Sequence, residues 1–135
     1  MTLSEYKTAS LHFKLPTGFM EISKREDKIA SFIPDQTPTT EYFFSFQNPS
    51  GKKLYLFYWQ GFPWRDYGPM SIKKTFTAQI GNLTYKIHLT GVFMGDKQEV
   101  LVTHYQLPNN DRFMIYSPDI KLKEFKKFIS ILKIK

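Results

Sequence analysis

The chain has 135 residues and no cysteine, which sets one domain as the expectation and excludes disulfide frameworks, thiolate metal sites and cysteine nucleophiles. Its formal charge is +7, yet only Arg25, Arg65 and Arg112 among the 19 basic residues are arginine, so bidentate reading of phosphates or base edges is poorly served and nucleic acid is disfavoured as a partner. Aromatics reach 17%, with 13 Phe and 8 Tyr, and favour sheet, while no run approaches the ~20 apolar residues of a transmembrane span.

Met1 to Lys7 lacks the apolar core of a signal peptide. The expected location is therefore cytoplasmic, or periplasmic or secreted if a leader has been removed. Leu11 to Leu15 alternates apolar and polar residues, the mark of a half-buried strand, and Pro16-Thr17-Gly18 breaks it. Phe19 to Pro34 is ambiguous, with Ile29 to Ile33 a candidate short strand. Glu41 to Gln47 and Lys53 to Phe62 predict a hairpin across Asn48-Pro49-Ser50-Gly51. Tyr42, Phe44 and Phe46 share a face of its first strand. On the second, Leu54, Leu56 and Tyr58 face one way and Tyr55, Phe57 and Trp59 the other, the pattern of a strand covered on both sides or central in its sheet.

Two prolines end that pattern, so Phe62 to Pro69 is a loop. In Met70 to Ile80, Ile72, Phe76 and Ile80 fall at i, i+4 and i+8 and predict a short amphipathic helix, against which the Thr-rich middle counts. Leu83 to Phe93 and Gln98 to Leu107 predict a second hairpin across Met94-Gly95-Asp96-Lys97, and Arg112 to Tyr116 a further strand. Ser117-Pro118-Asp119 then supplies an N-cap, a first-turn proline and an acid for a C-terminal helix. Its stripe is Leu122, Phe125, Phe128, Ile129 and Leu132, with Lys121, Lys126, Lys127 and Lys133 largely outside it. Six of the last 15 residues are lysine, which reads as a solvated helix face. The fold class is α+β: one antiparallel sheet of about five to seven strands, the terminal helix, and the Met70–Ile80 helix as a further candidate.

Catalytic constellations are thin. His12, His88 and His104 show no metal-ligand spacing, and the second hairpin as drawn leaves His88 and His104 one residue out of register, on different faces. No carboxylate pair, nucleophile elbow or phosphate-binding glycine loop stands out. The expectation is a non-enzyme with no cofactor and no metal. Phe62, Trp64, Arg65 and Tyr67 are the candidate binding residues, because Trp, Tyr and Arg dominate interface hot spots. The competing reading folds these rings back onto the sheet with Arg65 paired to a carboxylate such as Asp66. The aromatic faces of the first hairpin have a composition found in base-stacking sheets, but neither strand contains arginine, so core is the better reading.

Leu11-His12-Phe13-Lys14-Leu15-Pro16-Thr17-Gly18-Phe19, the late hairpin Leu83 to Leu107, and Phe125-Lys126-Lys127-Phe128-Ile129-Ser130-Ile131-Leu132-Lys133 together resemble the PsbP-like fold family. The likeness covers the two ends and the topology between them. It implies a sheet flanked by helices, a terminal helix running into a short strand, and a binding role. Bacterial relatives in that family include type VI secretion effector chaperones. It implies no particular site residues. The functional expectation is a non-catalytic adaptor or chaperone-like module that binds another protein, with a homodimer as a further option. The alternatives are an immunity protein blocking a toxin and a small-ligand or lipid carrier.

Overall fold

The computed structural model describes residues 5–7, 11–14, 18–29, 39–60, 70–80, 83–106, 112–130 and 133–134. In chain order the elements are β1 (Glu5–Lys7), β2 (Leu11–Lys14), β3 (Met20–Ile29), β4 (Thr39–Gln47), β5 (Lys53–Gln60), β6 (Ser71–Ile80), β7 (Leu83–Phe93), β8 (Asp96–Lys97), β9 (Leu101–Gln106), β10 (Arg112–Ser117), α1 (Leu122–Ser130) and β11 (Lys133–Ile134). The main sheet runs β3-β4-β5-β10-β9-β7-β6, with β8 paired to β7, and every pairing in it is antiparallel. A second, three-stranded sheet joins β1, β2 and β11. Among the described residues α1 is the single helix, so the chain is α+β and mostly strand.

The first hairpin forms as expected. Asn48 Oδ1 accepts the Lys52 N–H at 2.9 Å, and the Gly51 N–H reaches the Asn48 carbonyl at 3.0 Å. Gly51 has φ 83, a backbone state that glycine adopts without steric cost. β5 lies between β4 and β10, which explains why its sequence is apolar on both faces.

One face carries the larger core. Phe44, Phe46, Leu54, Leu56, Tyr58, Tyr85, Ile87, Phe113 and Ile115 are buried there against Phe125, Phe128 and Ile129 of α1. Those helix positions belong to the apolar stripe read from the sequence, and Lys121, Lys126 and Lys127 are exposed. Ser117, Pro118 and Asp119 do not start the helix, which begins at Leu122. Instead Ser117 Oγ accepts the Asp119 and Ile120 N–H groups, each at 3.1 Å, and donates to the Lys53 carbonyl. Asp119 Oδ2 accepts the Lys53 N–H at 2.8 Å. The side chains expected to cap the helix therefore bolt the corner before it to the start of β5.

The expected helix over Met70–Ile80 is the edge strand β6. A spacing of four is a multiple of two as well as near one helical turn, so Ile72, Phe76 and Ile80 also fit a strand. Thr75 and Thr77, stiff at χ1, favour that state. The strand expected over Gln98–Leu107 begins only at Leu101. Met94 and Gly95, with φ 52 and 87, make a two-residue turn of the kind that needs two positive φ values. β8 follows it at once, and 98–100 lead back to β9 as a short excursion. Thr90 ties this excursion down: its N–H donates to the Val100 carbonyl at 3.0 Å, and its Oγ accepts the Val100 N–H at 3.1 Å. At the other edge β3 begins at Met20, earlier than the Ile29–Ile33 strand expected from sequence, of which 30–33 lie outside the described residues.

Candidate functional site

The face opposite α1 is organised by register into three cross-strand rows. Asp27, Glu41, Trp59 and Arg112 form the first. Arg25, Phe43, Phe57, Met114 and His104 form the second. Ser23, Ser45, Tyr55, Tyr116, Val102, His88 and Thr75 form the third, which crosses the whole sheet. Residues directly opposite in a ladder share a face, so these rows place their side chains together.

Six rings run through the rows without a break. Phe57 stacks on Trp59 at 5.4 Å and meets Phe43 at 4.4 Å. Phe43 meets Tyr55 at 6.0 Å, and Tyr55 stacks on Tyr116 at 4.9 Å. Phe93, the last residue of β7, meets Tyr116 at 4.8 Å. Phe57, Trp59, Phe93, Val100, Val102 and Met114 are buried, and Phe43, Tyr116 and Met94 are partly exposed against them. Tyr55 is likewise partly exposed. The Tyr116 phenol is pushed up to about 12, by desolvation first and by Tyr55 second, so it is a neutral donor across the ordinary pH range.

Charge lies along one side of the rings. Glu41 is fully buried; its Oε2 accepts the Trp59 Nε1–H at 2.7 Å and its Oε1 pairs with Arg25 at 2.8 Å. Arg25 also meets Asp27 at 2.6 Å and lies over the Phe43 ring, 5.3 Å from its centroid. The Glu41 carboxylate thus fixes both the indole and the guanidinium that borders the rings. Across Trp59 in the same row, Arg112 donates from Nε and Nη2 to His104 Nε2, at 3.1 and 2.8 Å. Among the described residues no carboxylate lies within ion-pair distance of Arg112.

Much of the His104 side chain is open to solvent, yet its ring rests edge-on against Trp59 at 6.2 Å and beneath Arg112. Desolvation first, and the adjacent guanidinium second, lower its pKa to about 4. A neutral ring accepting at Nε2 carries its proton on Nδ1. His88 is also lowered, by desolvation and then by Lys86, and its Nδ1 lies 2.9 Å from Thr75 Oγ1.

His88 pairs with Val102, so His88 and His104 are diagonal neighbours on one face, not on different faces as the drawn loop implied. The two-residue turn and the 98–100 excursion shift the register. The two rings nevertheless bond to different partners, and among the described residues no three His, Cys, Asp or Glu side chains converge to hold a metal ion. Phe62, Trp64, Arg65 and Tyr67, the residues singled out from sequence, lie in 61–69, outside the described residues.

Sequence reasoning did identify Tyr55, Phe57 and Trp59 as one face, and it missed the arginines. They arrive from β3 and β10, the neighbours of the hairpin, and two of the three in the chain meet here. With arginine present, base stacking has to be judged on ring geometry. At 4.9 Å the Tyr55 and Tyr116 faces cover one another, whereas a stacking site offers free ring faces. The arrangement suits apolar side chains packing on ring edges, with a carboxylate reaching Arg112. No helix among the described residues is long and apolar enough to cross a membrane. No family model, no curated protein and no solved structure matches the chain.

Proposed function

We propose that the protein is a non-catalytic binding module, adaptor or chaperone-like, whose site is the ring face opposite α1 and whose ligand is another protein. The observation that carries this reading is the line of partly exposed Phe43, Tyr55 and Tyr116 bordered by Arg112, a half-buried cation with no carboxylate partner among the described residues. Tyr and Arg in one partly desolvated patch are the composition of an interface hot spot. The partner contributes apolar side chains to the rings and an Asp or Glu to the guanidinium.

An immunity protein is the second reading, favoured by the +7 charge, which would steer association with an acidic toxin. The two differ in salt response: a steered toxin complex loses association rate steeply with salt, and a chaperone complex held by apolar packing does not.

The test is affinity capture from native lysate at two salt concentrations with wild type, Arg112→Ala and Tyr55→Ala, each first shown to be folded by circular dichroism. One protein retained by wild type and lost from both variants supports the reading. Equal retention by all three moves the site off this face. A small molecule released from purified wild type, seen by native mass spectrometry, would replace the reading with a ligand carrier.

A further inference from the structure

The two edges of the main sheet are built differently. β3 is exposed from Met20 to Asp27, but Lys24, Arg25, Glu26, Asp27 and Lys28 follow one another and a bulge interrupts the pairing between Glu21 and Ser23. Charge and bulges are how a sheet edge is kept from pairing with another chain. β6 confines its irregularities to Ser71–Lys74, and from Lys74↔Leu89 to Ile80↔Leu83 it runs in unbroken register with β7. Lys74, Thr75, Thr77 and Gln79 are exposed, and beyond Lys74 this stretch has no charge. Among the described residues no strand pairs with its outer edge, and α1 approaches β6 from the helix side.

Side chains beside that edge define what fits it. Phe76 and Ala78 are partly buried at the margin of the helix-side core, and Met70, just before the strand, and Ile72, near its start, are 47% and 48% exposed. Lys74 lies over the Phe76 ring on that face, 5.1 Å from its centroid. Lys86 stands opposite Thr77 on the other face. From Gly68 to Gly95 the sequence contains Lys73, Lys74 and Lys86 and no acid. Lys73 is already bonded to Glu99, which leaves Lys74 and Lys86 facing solvent on either side of the edge.

We infer that β6 is a docking edge for an extended acidic segment of another protein, which adds to the sheet as a strand beside Lys74–Ile80. Backbone hydrogen bonds along β6 supply register-independent affinity. Apolar residues on one face of the segment meet Phe76 and Ala78, and carboxylates reach Lys74 and Lys86. Thr75 and Lys86 share the face of the rings, but β9 and β7 separate β6 from β10, so the inference stands or falls independently of the function proposed above.

A blocked ten-residue peptide of alternating glutamate and valine is the probe, titrated into the full-length protein and followed by backbone amide shifts and hydrogen exchange. Expected are slowed exchange at alternate amides within 74–80, binding that weakens as salt rises, and at least tenfold weaker binding by Lys74→Glu/Lys86→Glu, with Arg112→Ala binding as wild type does. An alternating glutamate–proline peptide, which cannot form the ladder, should not bind. Equal binding of the proline peptide would reduce the effect to bulk charge and overturn the inference. So would absence of binding, protection on β3 instead of β6, undiminished binding by the double variant, or loss in Arg112→Ala.

Discussion

The two faces of β5 differ in how they are closed. Leu54, Leu56 and Tyr58 are wholly buried in one cluster with Phe125, Phe128 and Ile129 of α1. Trp59 and Phe57, on the other face of the same strand, reach nearly the same burial, yet every described member of their cluster comes from the strands of the sheet or from the 94–100 stretch between β7 and β9. The rim of that cluster is ionic. The face closed by the helix is held by packing, with Lys24 over Phe44 and Lys74 over Phe76 at its margin. A face of mutually stacked rings held by Glu41, Arg25 and Arg112 retains partly exposed aromatic area and directed charge, the ingredients of recognition.

The largest test of this contrast is truncation on each side. Phe128→Ala, at a fully buried ring under the sheet, should cost about 3–5 kcal/mol, and Tyr55→Ala roughly 1–2 kcal/mol, measured by urea unfolding. Equal costs would erase the distinction between the faces. Next is the buried carboxylate: Glu41→Ala removes the acceptor of the Trp59 N–H and one of the two carboxylates on Arg25, and should lose about 2–3 kcal/mol with a changed indole fluorescence maximum. An unchanged emission spectrum would mean that the carboxylate does not position the indole. Ser117→Ala, which removes the hydroxyl joining the corner to β5, should lose roughly 1–2 kcal/mol.

Smallest is the acid response of the ring face. His104 has a folded pKa of about 4, below the ordinary histidine value, so the unfolded chain binds its proton first. Stability from this group is present above pH ~6.5 and is lost as pH falls from there toward 4. His88, also lowered, acts in the same direction. His104→Gln should flatten the decline between those values; a slope identical to wild type would show that His104 is not the titrating group.

The strands of both hairpins, the amphipathic terminal helix and the α+β class were legible because each rests on local periodicity. β6 was not, because Ile72, Phe76 and Ile80 satisfy two periods at once and only the sheet edge decides between them. The candidate site was half legible. Odd-numbered rings on β5 mark one face at sight, but Arg25 and Arg112 join them only through pairing between distant strands. The diagonal of His88 and His104 depends on Met94 accepting a positive φ, which its side chain gives no reason to expect.

β5 also governs how the chain reaches this state. Its partner β4 lies one short turn away, but its other neighbour, β10, is made far later in the sequence. Until Arg112–Ser117 is in place, Leu54 to Trp59 presents an aromatic, uncharged strand with an open backbone edge, a segment prone to pair with its own kind. Closing the sheet waits on a long-range contact, the feature that slows two-state folding. Refolding yield should therefore fall with protein concentration, with aggregates seeded at β5. The strand that organises both faces of the finished sheet is also the one most exposed to misassembly while the sheet is incomplete.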